Sequence, residues 1–257
     1  MTKRAIITGA SSGIGEALAR ELSRRGWDLA LLARRADLLT KLAAELPNTV
    51  GIECDVRDGA VVRDAVRSAE SQMGGPFDLA IANAGIGVPT FAFEFNIADA
   101  EQMVRVNILG MMYLFDAVIP SMVERGRGRF AGVASIAGHR GLPSSSVYSA
   151  TKSAMQSFLE ASRVELAQFG VGVTIINPGF VETPMTAKNA GKMPFLWQTP
   201  RAARYIADGL DRGKAVIEFP LPMSLLTRSM RFMPRVLFDK LTVRYAQRKI
   251  DRSKLQR

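Results

Sequence analysis

Tyr148 and Lys152 stand four residues apart, and their types can do chemistry together. On a helix that spacing stacks both side chains on one face. An ammonium beside a phenol favours the ionised phenol, so the pair predicts a tyrosine whose pKa is drawn down toward neutrality, where it works as a general acid or base. Ser135 lies thirteen residues before the tyrosine, at the end of the strand-sized run Phe130 to Ala134. In a parallel sheet the ends of neighbouring strands meet at one crevice, so the serine and the helix that follows can converge there. A tyrosine and a lysine four apart also occur often by chance, and the pair alone decides nothing.

A second constellation opens the chain. The run Thr8-Gly9-Ala10-Ser11-Ser12-Gly13-Ile14-Gly15 follows a short apolar stretch and precedes apolar residues at helical spacing, Ala17, Leu18 and Leu22. Glycines let the backbone turn sharply and approach a pyrophosphate, while the helix N-terminus offers unpaired N–H groups and a positive dipole end to the anion. An ordinary tight turn reads the same in isolation; a turn directly behind the first strand of an alternating chain does not. After the second apolar run come Arg34 and Arg35. An NAD-selective site usually places an acidic residue there for the ribose 2′-hydroxyl, whereas a guanidinium makes charge-assisted bonds to the 2′-phosphate of NADP. The expectation is NADPH in preference to NADH, against the plainer reading of two arginines solvating a helix start.

These residues need elements to position them. Strand-sized apolar runs recur at Ala5 to Thr8, Leu29 to Ala33, Val50 to Cys54, Leu79 to Ala82, Phe130 to Ala134, Val173 to Asn177 and Ala215 to Phe219. Between them lie stretches with three-and-four spacing, such as Val104, Ile108, Met111 and Met112. Strands apolar throughout and alternating with helices predict an α/β fold: a Rossmann-like, doubly wound parallel sheet of about seven strands, with helices on both faces. The predicted division is a dinucleotide-binding and catalytic body over residues 1–219 and a C-terminal helical extension over 220–257. The glycine-rich stretch Gly126 to Gly128 reads as the turn before the fifth strand.

Glycine turn, Asn83-Ala84-Gly85, Ser135, Tyr148 and Lys152 in this order at strand ends form a set that chance does not readily supply. From about residue 4 to about residue 219 the chain resembles the short-chain dehydrogenase/reductase family in its compact single-domain branch. The motifs that carry the likeness are Thr8 to Gly15, Asp55 after the third strand, Asn83 to Gly85, Asn107, Ser135, Tyr148-Ser149-Ala150-Thr151-Lys152 and Pro178-Gly179. The resemblance implies that Tyr148 donates or accepts the proton, that Ser135 hydrogen-bonds the reacting oxygen, and that Lys152 binds the nicotinamide ribose and lowers the tyrosine pKa. It further implies that Asn107 holds a water of the proton relay, that Asp55 bonds the adenine, that Asn83 supports the cofactor site and that Thr183 meets the carboxamide. The implied cofactor contacts are Gly9, Ser11, Ser12, Gly13, Ile14, Gly15, Arg34, Arg35, Asp55, Val56, Asn83, Ala84, Gly85, Tyr148, Lys152, Pro178, Gly179, Val181 and Thr183.

Composition narrows the remaining classes. The only cysteine, Cys54, rules out an intramolecular disulfide and reads as inert core in a reducing compartment, and no cysteine or histidine cluster has metal-ligand spacing. The expectation is a cytoplasmic protein that needs no metal. The lone histidine, His139, reads as a loop residue. Net charge is +10, but residues 1–211 carry 22 Lys and Arg against 21 Asp and Glu, while residues 212–257 carry 12 against 3. The basicity belongs to the tail, and without an aromatic stacking pattern or reading motif it does not predict a nucleic-acid partner.

Between Thr183 and Thr199 the residues Met185, Gly191, Met193, Phe195, Leu196 and Trp197 read either as a lid that shapes an apolar substrate site or as packing of a loop onto the body. In the tail, Leu225, Leu226, Met230, Met233, Val236, Leu237 and Leu241 could share one helical face, with Arg228, Arg231, Arg235, Arg244, Arg248 and Lys249 elsewhere and Pro234 breaking the run into two short basic amphipathic helices. Three placements stay open: a cap on the cleft, a subunit interface, or peripheral contact with an anionic membrane. The reading is an NADP(H)-dependent oxidoreductase acting on a small, apolar carbonyl or alcohol as a homo-oligomer. Its rivals are a non-catalytic NADP sensor or membrane scaffold, which needs no Ser-Tyr-Lys set, and an epimerase or dehydratase that recycles its cofactor.

Overall fold

The computed structural model describes residues 3–188 and 193–249. Seven strands, β1 (Lys3–Thr8), β2 (Trp27–Ala33), β3 (Thr49–Glu53), β4 (Leu79–Ala82), β5 (Gly128–Val133), β6 (Val171–Pro178) and β7 (Val216–Phe219), form one parallel sheet in the order β3-β2-β1-β4-β5-β6-β7. The order reverses between β1 and β4, so the loops leaving those two strands part to opposite faces and leave a crevice at their carboxyl ends. In-register pairing of Ala5, Ile6 and Ile7 with Leu79, Ala80 and Ile81 brings the two strand ends level across that crevice.

The uninterrupted apolar runs are explained by burial on both faces. Side chains alternate across a strand. Ile6, Ala30, Leu32 and Ala80 therefore join the core under α3 (Gly59–Met73), α5 (Gly110–Glu124) and α6 (Ser146–Ala167). Ala5, Ile7, Leu29, Leu31 and Ile81 join the core under α1 (Gly13–Arg24), α2 (Ala36–Glu45) and α7 (Thr199–Asp211). Local signals agree with these bounds: Asp58 caps α3 by accepting from the N–H groups of Ala60 and Val61, and Gly74 closes it at φ +70°.

The stretch from Ile97 to Glu124 is not one regular helix. α4 (Ile97–Met103) passes through a wider π-helical turn, Val104–Leu109, into α5. The three-and-four spacing of Val104, Ile108, Met111 and Met112 is broken there, so Val104 is exposed while Met111 is buried. This stretch is the one run among the described residues long and apolar enough to cross a membrane. It packs instead against α3 and α6 in the body and buries a polar side chain, Asn107, completely.

The tail forms α8 (Leu221–Phe232) and α9 (Arg235–Lys249), divided at Met233-Pro234 as the proline predicts. The expected common apolar face is not there. Leu225 and Leu226 point outward and are 57% and 60% exposed, whereas Met230 turns inward. In α9 the apolar residues Val236, Leu237, Leu241 and Val243 do not gather on one side, because their spacing distributes them around the helix. The side chains of Arg244, Arg248 and Lys249, like Gly191 in the loop before α7, lie outside the described residues.

Candidate active site

The glycine turn is fixed from beneath by the loop after β4. Asn83 donates through Nδ2 to the carbonyls of Thr8 (3.0 Å) and Gly9 (3.1 Å), and its own N–H donates to Thr8 Oγ1 (3.1 Å), which also accepts from the Ala84 N–H (3.2 Å). A Cβ on Gly15 would fall 2.4 Å from the Gly9 carbonyl oxygen and 2.5 Å from Asn83 Nδ2, so only glycine lets the helix approach this closely. Gly9 and Gly13 hold φ of +66° and +60°. Ser12 stands at the N-cap of α1 without a side-chain cap bond, which leaves the first N–H groups of the helix facing the crevice. Ile14 packs into the core beneath, Gly85 lies next to Asn107 and Lys152, and Val56 presses against Gly110.

Arg35 crosses to this turn. Its guanidinium donates to Ser11 Oγ (2.8 and 3.1 Å) and Ser12 Oγ (2.6 Å), so a cation is held directly over the helix N-terminus. Arg34 is exposed beside it. Asp55 is gripped by its neighbour: Arg57 bonds both of its carboxylate oxygens at 2.5–3.0 Å, which lowers its pKa, with Arg34 adding a smaller pull.

At the neighbouring strand ends, Ser135 lies two residues past β5 and not at its last position. Its hydroxyl accepts from the Ala137 N–H (3.1 Å) and donates to the Pro178 carbonyl (3.3 Å), and it is close enough to the Tyr148 phenol to pull its pKa down. Lys152 is almost fully buried and donates to the Val133 carbonyl at 2.8 Å, with Nζ 5.7 Å from the tyrosine ring centre. Asn107, in the π-helical turn, donates to the Ile86 carbonyl (3.0 Å) and Thr151 Oγ1 (3.0 Å) and accepts from the Ile86 N–H (2.8 Å). Those bonds tie the loop after β4 to the face of α6 that carries Tyr148 and Lys152. The sequence-predicted Ser, Tyr, Lys and Asn thus meet in one place.

The electrostatics correct one expectation. Burial pushes the Tyr148 phenol up, and the Ser135 hydroxyl pulls it only part of the way back. Burial also lowers Lys152, to about 7. Both groups share one desolvated pocket and the ammonium is aimed at the Val133 carbonyl, so desolvation outweighs the phenol–ammonium attraction on which the four-residue spacing argument relied.

Gly179 and Val181 continue from β6 as expected; the Gly179 N–H bonds the Phe219 carbonyl (2.7 Å) and Val181 is buried. Thr183 lies over Gly13, its Cγ2 3.1 Å from where a Cβ would be. The loop toward α7 divides between its two readings. Trp197 stacks on Phe219 (4.8 Å) and bridges to Val181, which is packing onto the body. Met185, Phe195 and Leu196 stay exposed, and Met185 Sδ reaches the Gly87 backbone beside the Tyr148 ring.

Sequence reasoning missed a polar cluster behind this site. Gln156 Nε2 bonds the Ser135 carbonyl (2.8 Å) and Asn177 Oδ1 (2.9 Å), and Asn177 Nδ2 bonds Glu218 Oε1 (2.7 Å). His139 is a loop residue, as expected, but its side chain is enclosed between Glu218 (3.1 Å) and Thr227 Oγ1 (2.9 Å). Burial pushes the Glu218 carboxyl up, but hydrogen bonds from His139, Ser224 and Asn177 outweigh it and leave it near 2. The signal available was a lone carboxylate inside the short apolar strand Val216–Phe219. Among the described residues no group of three or more His, Cys, Asp or Glu is placed to hold a metal ion.

The family model described as short chain dehydrogenase matches residues 3–193. An uncharacterized oxidoreductase of Myxococcus xanthus is 38% identical over 241 residues, covering 92% of this chain and 95% of its own length. Among solved structures, an archaeal alcohol dehydrogenase from Thermococcus sibiricus, complexed with 5-hydroxy-NADP, is 30% identical with a TM-score of 0.77, covering 85% of this chain and 95% of that one. A short-chain dehydrogenase/reductase from Burkholderia phymatum in complex with NAD shares the fold at a TM-score of 0.82, with 24% identity over 88% of this chain and 92% of that one.

Proposed function

The chain belongs to the short-chain dehydrogenase family of oxidoreductases, and from that premise we propose that it moves a hydride between NADP(H) and a carbonyl or alcohol carbon. The observation that carries the reading is the convergence of the Ser135 hydroxyl, the Tyr148 phenol and the Lys152 amine beside the anion-facing N-terminus of α1. The cofactor supplies the hydride chemistry. Glycine backbone, uncapped helix N-terminus and Arg35 fit its pyrophosphate and a 2′-phosphate, and Asn83 keeps that cradle in shape. Tyr148 would pass the proton to or from the substrate oxygen, Ser135 would hold that oxygen, Lys152 would bind the ribose, and Asn107 would anchor the relay behind it. A phenol is protonated at neutral pH, so Tyr148 carries the proton that carbonyl reduction requires. Loops leaving the same strand ends expose Phe93, Phe95, Met185, Phe195 and Leu196, which favours an apolar substrate. An apolar hollow between the π-helical turn and α6, lined by Val104, Ile108, Val147 and Ala154, suits assembly into a homo-oligomer.

Two measurements test the reading. With a panel of carbonyls followed at the NADPH absorbance band, Tyr148→Phe should lower kcat by roughly 10²–10⁴-fold and leave NADPH affinity nearly unchanged; substantial residual turnover would refute the proton role. Arg35→Ala should weaken NADPH but not NADH, by roughly tenfold to a hundredfold for a lost charge-assisted pair. Equal or better kcat/KM with NADH in the unaltered protein would exclude the NADP preference.

A further inference from the structure

α8 is turned the wrong way round for a helix packed by the hydrophobic effect. Leu221, Leu225 and Phe232, at spacings of four and seven, form one stripe, and they are 65%, 57% and 86% exposed. The face toward the body carries Ser224, which is buried, and Thr227, beside the half-buried Met223 and Met230. Its attachments are polar. Glu218 accepts from Ser224 Oγ and from Arg228 Nε (2.9 Å), His139 bonds Thr227 Oγ1, and Arg140 donates to the Met230 and Met233 carbonyls while its guanidinium lies 4.1 Å from the Phe238 ring centre. Rolling the helix by half a turn would bury the stripe but take Ser224 and Arg228 from Glu218 and Thr227 from His139, leaving the enclosed carboxylate with His139 and Asn177 alone and one of its oxygens short of donors, which is costly. The anchors therefore fix the apolar stripe outward.

The charge of the tail selects what covers it. Residues 212–257 hold 12 Lys and Arg against 3 Asp and Glu, while the rest of the chain is close to neutral. Arg231, Arg235 and Lys240 are exposed on α8 and α9, with Asp239 the acidic residue among them, while Arg228 is paired to Glu218. A two-fold contact with a second copy would set this cationic face against itself. A helix with Leu and Phe on one side and arginines at its flanks matches the boundary layer of an anionic bilayer, where the apolar residues leave water and the cations meet acidic headgroups.

We propose that the outward face of α8 is a peripheral docking surface for anionic lipid. This surface sits on the far side of the helix that packs against the turn following Ser135, so the docked lipid borders the reacting end of the sheet.

The test uses the full chain and vesicles of two parts phosphatidylcholine to one part phosphatidylglycerol, with vesicles of phosphatidylcholine alone as the comparison. The protein should sediment with the anionic vesicles at 0.15 M salt and be released at 1 M, where the Debye length falls from about 8 Å to about 3 Å. Phe232→Asp should weaken binding by about tenfold or more, and Arg231→Gln and Arg235→Gln by about fivefold each. All three variants should keep the parent's melting temperature and NADPH affinity, which separates a lost surface from a lost fold and leaves the reading of the reaction untouched. Failure to sediment with anionic vesicles, equal binding to neutral ones, or binding indifferent to Phe232→Asp would overturn the proposal. So would an oligomer that falls apart on Leu225→Asp, since the stripe would then be a contact between copies.

Discussion

α1 and α8 are both twelve-residue amphipathic helices that follow a strand within a few residues, yet they face opposite ways. α1 lays Leu18, Ala19 and Leu22 onto the sheet and turns Glu16 and Arg20 to solvent, where they pair at 3.0 Å. α8 does the reverse, with Ser224 inside and Leu225 and Phe232 outside. The sequence pattern is amphipathic in both, more strongly in α1, and the surface each one meets differs as well. β1 and β2 offer α1 an apolar sheet face. The end of β7 offers α8 a buried carboxylate, Glu218, with His139 and Asn177 already on it. An amphipathic pattern specifies that a helix has two sides, and the neighbour decides which of them is the inner one.

Three measurements sharpen or break that comparison. The largest effect should come from the apolar contact of α1: Leu22→Ala, in a residue 1% exposed, should lower unfolding free energy by about 2–5 kcal/mol. A loss under about 1 kcal/mol would mean that α1 is no better anchored by its apolar face than α8 is. The polar anchor of α8 comes next and has a pH signature. Glu218 has a folded pKa of about 2 against an ordinary value of 4.5, so its contribution is complete above about pH 4.5 and is lost as pH falls toward 2. After allowance for screening at the half-exposed Arg228, that is about 2 kcal/mol. Urea midpoints at pH 6 and pH 3 should move together by less in Glu218→Gln than in the parent, and equal movement would remove Glu218 as the anchor. The smallest effect belongs to the apolar stripe of α8. Leu225→Ala should change unfolding free energy by under about 0.5 kcal/mol, and a loss comparable to that of Leu22→Ala would show the leucine to be packed in solution.

The site divides in the same way. The glycine turn, Asn83 and Ser135 could be picked out because each sits at a strand end marked by a short apolar run, and Tyr148 and Lys152 because their spacing stacks them on a helix beyond one, whereas Asn107 was implied by the family resemblance alone. Their convergence needs nothing more than the parallel order of the strands. The Gln156, Asn177, Glu218 and His139 cluster was not legible, because its members come from four separate segments and none has a local pattern. Spacing predicted a phenol lowered by its lysine and the structure gives a raised one, since spacing along a helix reports proximity but not the depth of the pocket both groups enter.

The sequence by itself determined the doubly wound sheet, the glycine turn under α1 and the break at Pro234, because these follow from the period of apolar residues and from the backbone freedom of glycine and proline, which act over a few neighbours. Only the tertiary structure decided the pKa directions of Tyr148 and Lys152, the enclosed contacts of Glu218, and the outward set of α8. Each of those depends on how far a charged or polar group is removed from water and on which partners from distant segments meet it there, and desolvation is a property of the assembled fold.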